Sequence, residues 1–107
     1  MLKSNLPRAT KTHLNFHNDT HPPMGIWFEK RDGTKHYAPY SFLSAVDLEK
    51  RGLIFHYSHA TVTVQGTHLN ELCDYIAQGS LAILKEDEFG EDDDRLRISD
   101  IVIQEID

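Results

Sequence analysis

The stretch PYSFLSAVDLEKRGLIFHYSHATVTVQG, residues 39–66, decides the fold class. Its second half leaves little freedom. Leu53, Phe55 and Tyr57 alternate with Ile54 and His56, and Ala60-Thr61-Val62-Thr63-Val64 alternates again with β-branched residues, which suit a pleated surface. Only Ser58-His59 separates the two runs, a tight connection between antiparallel strands. The first half supports two readings. Val46 and Leu48 alternate ahead of Glu49-Lys50-Arg51-Gly52, which turns the chain and makes the segment a further strand. The competing reading takes SFLSAVDLEKRG, residues 41–52, as a helix capped by Ser41 and closed by Gly52. The strand is the primary expectation.

Upstream, IWFEKRDGTKHYAPY (26–40) holds two alternating runs around Arg31-Asp32-Gly33. Asp-Gly there predicts a two-residue hairpin turn with positive φ at both central residues. Downstream, THLNELCDYIAQGS (67–80) changes period: Leu69, Leu72, Cys73, Ile76 and Ala77 form one stripe at helical spacing. Thr67 or His68 stands at the N-cap, Glu71 favours the positive end of the dipole, and Gly79 supplies the stop. A helix under three turns is marginal alone, so its stripe must pack onto a sheet. SLAILKE (80–86) and LRISDIVIQEI (96–106) read as strands. Ile98, Ile101 and Ile103 cannot all share one face of a regular strand, so a bulge near Asp100 or burial on both sides is expected.

These elements predict an α+β chain: an antiparallel β-meander of about 6–8 strands, as a sheet or partly closed barrel, with one amphipathic helix packed on it near the C-terminal third. Residues 25–107 form the compact domain. Residues 1–24 form an N-terminal arm, punctuated by Pro7 and Pro22-Pro23 and partly extended, since Leu14 and Phe16 alternate with His13, Asn15 and His17.

Composition narrows the function classes. The 107 residues are 39% hydrophobic and 26% charged, with net charge −6 at neutral pH. Surface scaling for this length buries about two-thirds of the surface, enough for one modest core. No apolar run approaches the ~20 residues of a membrane span, and MLKSNLPRAT lacks a secretory h-region. Cys73 is the sole cysteine, so no internal disulfide forms and a reducing, cytoplasmic setting is expected. Acid concentrates in KEDEFGEDDDR (85–95), which makes nucleic acid an unlikely partner. The cationic KSNLPRATK (3–11) reads as a solvated tail. The acidic loop lacks the order of an EF-hand and reads as a charged surface.

Seven histidines are the compositional oddity. His13, His17 and His21 recur every four residues, but Asn, Asp, Thr and Pro around them disfavour a helix. On a strand His13 and His17 stand about 13 Å apart, too far to share one ion. A turn that brings His17, Asp19 and His21 together would suit zinc, nickel or iron, and the metal reading takes the arm histidines His13, His17 and His21, with His36 or His59 completing the shell. His56 and His59 bracket Ser58, and His56 or His59 with an acid such as Asp47 would suit a small hydrolase or nuclease with a pocket around HYSHA. Cys73, on the apolar stripe, reads as an inert buried thiol. Among the aromatics, Tyr37 and Tyr40 around Pro39 are the best candidates for an exposed contact surface. A Gly-rich phosphate loop, CxxC, HExxH and GxSxG are absent from the sequence.

The functional expectation is therefore a small non-catalytic interaction or regulatory module without a cofactor, self-associating as a homodimer or bound to a protein partner. Its interaction candidates are Tyr37, Tyr40, His56 and His59. The alternatives are a histidine-based metal protein and a His/Asp hydrolase.

Overall fold

The computed structural model describes residues 23–87 and 95–106. The N-terminal arm up to residue 22, with His13, His17 and His21, and most of the acidic loop lie outside the described residues.

The 39–66 stretch forms three strands. A single 3-10 turn, Tyr40–Phe42, leads into β3 (Leu43–Glu49), followed by β4 (Gly52–Tyr57) and β5 (Ala60–Thr67). The helical alternative for residues 41–52 is thus set aside. Pro39, extended at φ −68°, ψ 144°, leads into the 3-10 turn, and Ser41 lies within that turn rather than at a cap. Ahead of it, β1 (Gly25–Glu29) and β2 (Lys35–Pro39) pair antiparallel. Their turn is one residue longer than a two-residue hairpin. Gly33 N–H donates to the Lys30 carbonyl at 3.0 Å and Gly33 alone takes positive φ, at 95°. Asp32 instead accepts from Thr34 N–H at 2.9 Å, using its side chain to brace the loop.

The predicted helix is shorter than its stripe. A 3-10 turn, Leu69–Leu72, precedes α1 (Cys73–Ala77). His68 sits in the left-handed region at φ 57° and donates no capping side chain, so the first turn winds tightly. Leu69 and Leu72 enter the core, whereas Cys73 and Ile76 are half-buried and Ala77 is exposed. Two strands complete the chain, β6 (Ile83–Lys85) and β7 (Arg97–Glu105).

Strands dominate, and they form two sheets rather than one meander. β3-β4-β5-β7 is antiparallel throughout. β2-β1-β6 is mixed, with β6 parallel to β1. Neither closes into a barrel. The parallel pair follows from burial: Leu84 is fully buried and lies beside Phe28 in register, which draws the three-residue β6 onto the first sheet. In the second sheet β7 bulges at Ser99, between the Gln65–Asp100 and Gly66–Ile98 pairs, so Ile98 and Ile101 both point inward. Gly66 permits this, because a Cβ there would stand 1.8 Å from the Arg97 carbonyl oxygen.

The core fills the space between the sheets. Phe28 meets Phe55 edge-to-face at 5.3 Å and Tyr57 at 6.2 Å, with Ile26, Leu53, Val62 and Val64 around them. Below it sits Glu86, the buried charged residue of the described chain at 3% exposure. Its carboxylate accepts from Arg31 N–H and Ile101 N–H, both at 2.7 Å, and from Lys30 Nζ at 3.1 Å. It therefore ties the β1–β2 turn to β7, across the two sheets. No helix among the described residues is long and apolar enough to cross a membrane.

Candidate functional site

The interaction candidates fall in different environments. Tyr40 is half-buried. Its hydroxyl donates to the Leu81 carbonyl at 2.7 Å, and burial pushes its pKa up to about 12 despite that bond. Tyr37 is exposed and packs against Trp27 across β2 and β1, ring centroids 4.9 Å apart. Both side chains lie on the outer face because their register partners are each other, whereas the neighbouring Ile26–Ala38 pair faces the core. Trp27 was legible from the same alternation. Beside this pair a recess of about 280 Å³ is lined by Lys30, Arg31, Lys35 and Lys85 together with Glu29 and Glu86. Ion pairs take up much of that charge: Lys30 with Glu86 at 3.1 Å and Lys35 with Glu29 at 3.9 Å.

His56 and Asp47 do meet, Nε2 to Oδ2 at 3.0 Å, on the exposed face of β4 and β3. They are 40% and 55% exposed. The hydrolase reading requires a concave pocket around this pair. Two recesses formed by the described residues, the basic one above and one of about 440 Å³ at the β3–β4 turn beside Leu69, are not lined by His56, Ser58 or His59. Ser58 serves the backbone, its N–H donating to the Phe42 carbonyl at 2.9 Å.

His59 lies elsewhere, and its partner is His36. The two Nε2 atoms are 3.2 Å apart, with ring planes within 23° and centroids 5.3 Å apart, so the Nε2 edges face each other. β2 presents His36 on its inward face, level with Phe28, but at the sheet edge, where the ring reaches past the core. The β4–β5 turn presents His59, held by Ile106 N–H donating to its carbonyl at 3.0 Å. Tyr57 and Phe42 flank the His59 ring at 5.6 and 5.9 Å. Burial, reinforced by His59 and opposed by Glu105, lowers the His36 pKa below its usual value and favours neutral imidazole. His59 Nδ1 and the Tyr57 hydroxyl are buried with no hydrogen-bond partner among the described residues. Burial raises the Tyr57 pKa, with the neighbouring Tyr40 adding to it.

The pair thus links the two sheets at one end, as Glu86 does at another. Its sequence signal was His36 at an inward-facing strand position. The spacing of His13, His17 and His21 does not bear on it, as those residues lie outside the described chain.

The edge of the second sheet adjoins this pair. β3 is hydrogen-bonded to β4 on one side, and its other side has no strand partner among the described residues. Of LSAVDLE, only Leu43 and Val46 are half-buried and the rest are exposed. Phe42 and Leu48, at 48% and 49% exposure, bracket the strand with apolar surface. Comparison with protein-family models, curated proteins and solved structures finds no match to this chain.

Proposed function

We propose that the protein is a non-catalytic interaction module that self-associates through β3, each copy continuing the other's four-stranded sheet. The observation that carries this reading is the β3 edge, which no strand among the described residues covers. Edge strands are usually guarded by lysine or proline, and LSAVDLE contains neither. A bulge between Leu43 and Ala45 is its only local irregularity. Two copies related by a two-fold axis normal to the sheet pair residues whose numbers sum to an even value, because paired side chains share a face. Centring the axis on Val46 sets Ala45 opposite Asp47, with Leu43 lying beyond the bulge and out of that register. Centring it on Asp47 sets that carboxylate against itself. Charge therefore favours the first register.

The register makes a test with two opposite signs. Ala45→Asp places a carboxylate opposite the partner's Asp47, and Ala45→Lys places a cation there. Two such pairs form per dimer, each worth about 0.2–1 kcal/mol. In sedimentation equilibrium the first substitution weakens the dimer and the second strengthens it, each by roughly two- to thirtyfold. A wild-type monomer at all concentrations, or both substitutions moving association the same way, overturns the reading.

A further inference from the structure

We infer that His36 and His59 form a two-imidazole site for a borderline divalent ion such as zinc or nickel. The inference stands apart from the β3 dimer and uses different atoms. Two imidazole nitrogens bound to one tetrahedral ion, at ~2.1 Å each, lie roughly 3.4 Å apart. The Nε2 atoms of His36 and His59 are 3.2 Å apart with their edges facing, so small ring rotations suffice to admit an ion. The residues come from β2 and from the β4–β5 turn, anchored on separate sheets, so the bite distance is set by the fold rather than by one flexible loop. Phe42 and Tyr57 wall the His59 side, which limits competition from water.

The ligand set is open. Among the described residues no third histidine, cysteine or carboxylate joins the pair to make a closed cluster, so the ion keeps positions for water or an outside ligand. Binding at His59 Nε2 places the hydrogen on Nδ1, which is buried with no partner among the described residues. Metal-bound histidines normally donate that hydrogen, and losing the outer partner costs roughly ten- to a hundredfold in affinity. The site therefore holds its ion reversibly, in the micromolar range rather than as a permanent structural metal.

The test is titration of the full chain with zinc chloride or nickel chloride, followed by native mass spectrometry and calorimetry. One ion per chain is expected. His36→Ala and His59→Ala each weaken binding at least tenfold, while His56→Ala and a combined His13→Ala/His17→Ala/His21→Ala variant retain it. Long-range 15N spectra of the wild type give a readout independent of variant folding: at one equivalent of zinc, the Nε2 signals of His36 and His59 shift together. Absence of stoichiometric binding, loss of binding in the combined arm variant, or shifts confined to other histidines overturns the inference.

Discussion

Removing the Glu86 carboxylate tests the account of how the two sheets are joined. In the fold this side chain is 3% exposed and accepts two backbone N–H groups at 2.7 Å and the Lys30 ammonium at 3.1 Å. Lys30 also donates to the Ile101 carbonyl, and Arg31 donates to Ser99 O at 2.7 Å and Asp87 O at 3.0 Å. Glu86→Ala leaves two donors and one ammonium without their acceptor. Breaking a buried charged network from one side costs about 3–5 kcal/mol. At roughly 4 °C per kcal/mol for a chain of this size, Tm falls by about 12–20 °C. Glu86→Gln keeps the shape and one acceptor oxygen but turns an NH2 toward a donor, and costs about 2 kcal/mol.

The carboxylate also sets an acid limit. Burial opposes its ionisation, but the Arg31 and Ile101 amides and Lys30 outweigh it, and the pKa lies below the ordinary 4.5. The unfolded state then binds more protons than the folded state as pH falls below about 4.5. Glu86 stabilises above that value, and its contribution fades as pH drops through the folded pKa. Urea denaturation at a series of pH values measures this directly. The gap between wild type and Glu86→Gln narrows with acidification, since protonation makes the native side chain neutral as well. A gap that stays constant from neutral pH to pH 3, or a cost for Glu86→Ala under about 1 kcal/mol, refutes the reasoning.

Two further substitutions separate core from surface and strand from bulge. Phe28→Ala, at the centre of the aromatic cluster, costs about 3–5 kcal/mol, whereas Trp27→Ala on the opposite face costs under about 1 kcal/mol; both are read as urea midpoints with unchanged slope. Gly66→Ala meets the Arg97 carbonyl at 1.8 Å and costs several kcal/mol, with early loss of amide protection along β7; hydrogen exchange that leaves β7 as protected as in the wild type contradicts the bulge.

The strands were legible because apolar residues alternate along them. Val62 and Val64 in β5 are buried with the period their sequence displays, while β4 also buries Ile54, on the face opposite Leu53, Phe55 and Tyr57. What the alternation does not encode is which strand pairs with which. β6 has only three residues, and its parallel place beside β1 depends on Leu84 reaching Phe28, fifty-six residues away in sequence (84 − 28). The division into two sheets follows from that contact. Glu86 was hidden for a related reason. It stands at the start of a run rich in acids, and nothing local marks it as a carboxylate that turns inward to the Arg31 and Ile101 amides. His36 and His59 are separated by 23 residues, and each is ordinary in its own strand or turn. Only the folding of β2 against the β4–β5 turn makes them a pair.

Glu86 and the histidine pair both bridge the sheets, yet they differ in a way that bears on function. Both oxygens of Glu86 are answered by donors, Arg31 N–H on one and Ile101 N–H and Lys30 on the other, so the network serves registry: it fixes which residue of β7 meets the β1–β2 turn. The histidine pair is incomplete. His59 Nδ1 lies buried with no partner among the described residues, and the same is true of the Tyr57 hydroxyl. A phenylalanine or leucine at position 59 would stack on Phe42 and Tyr57 and remove the orphaned Nδ1, a gain of about 1–3 kcal/mol, against about 0.5–1.5 kcal/mol for the lost His36–His59 contact. A purely structural joint would favour that exchange. Departures from local rules concentrate where a chain does something besides fold. On that ground the proposed roles rest on the imidazoles and the adjoining β3 edge rather than on the better-bonded carboxylate. The distinction is measurable: Glu86→Gln lowers stability and leaves zinc affinity unchanged, whereas His59→Phe abolishes zinc binding and leaves the urea midpoint equal to or above that of the wild type.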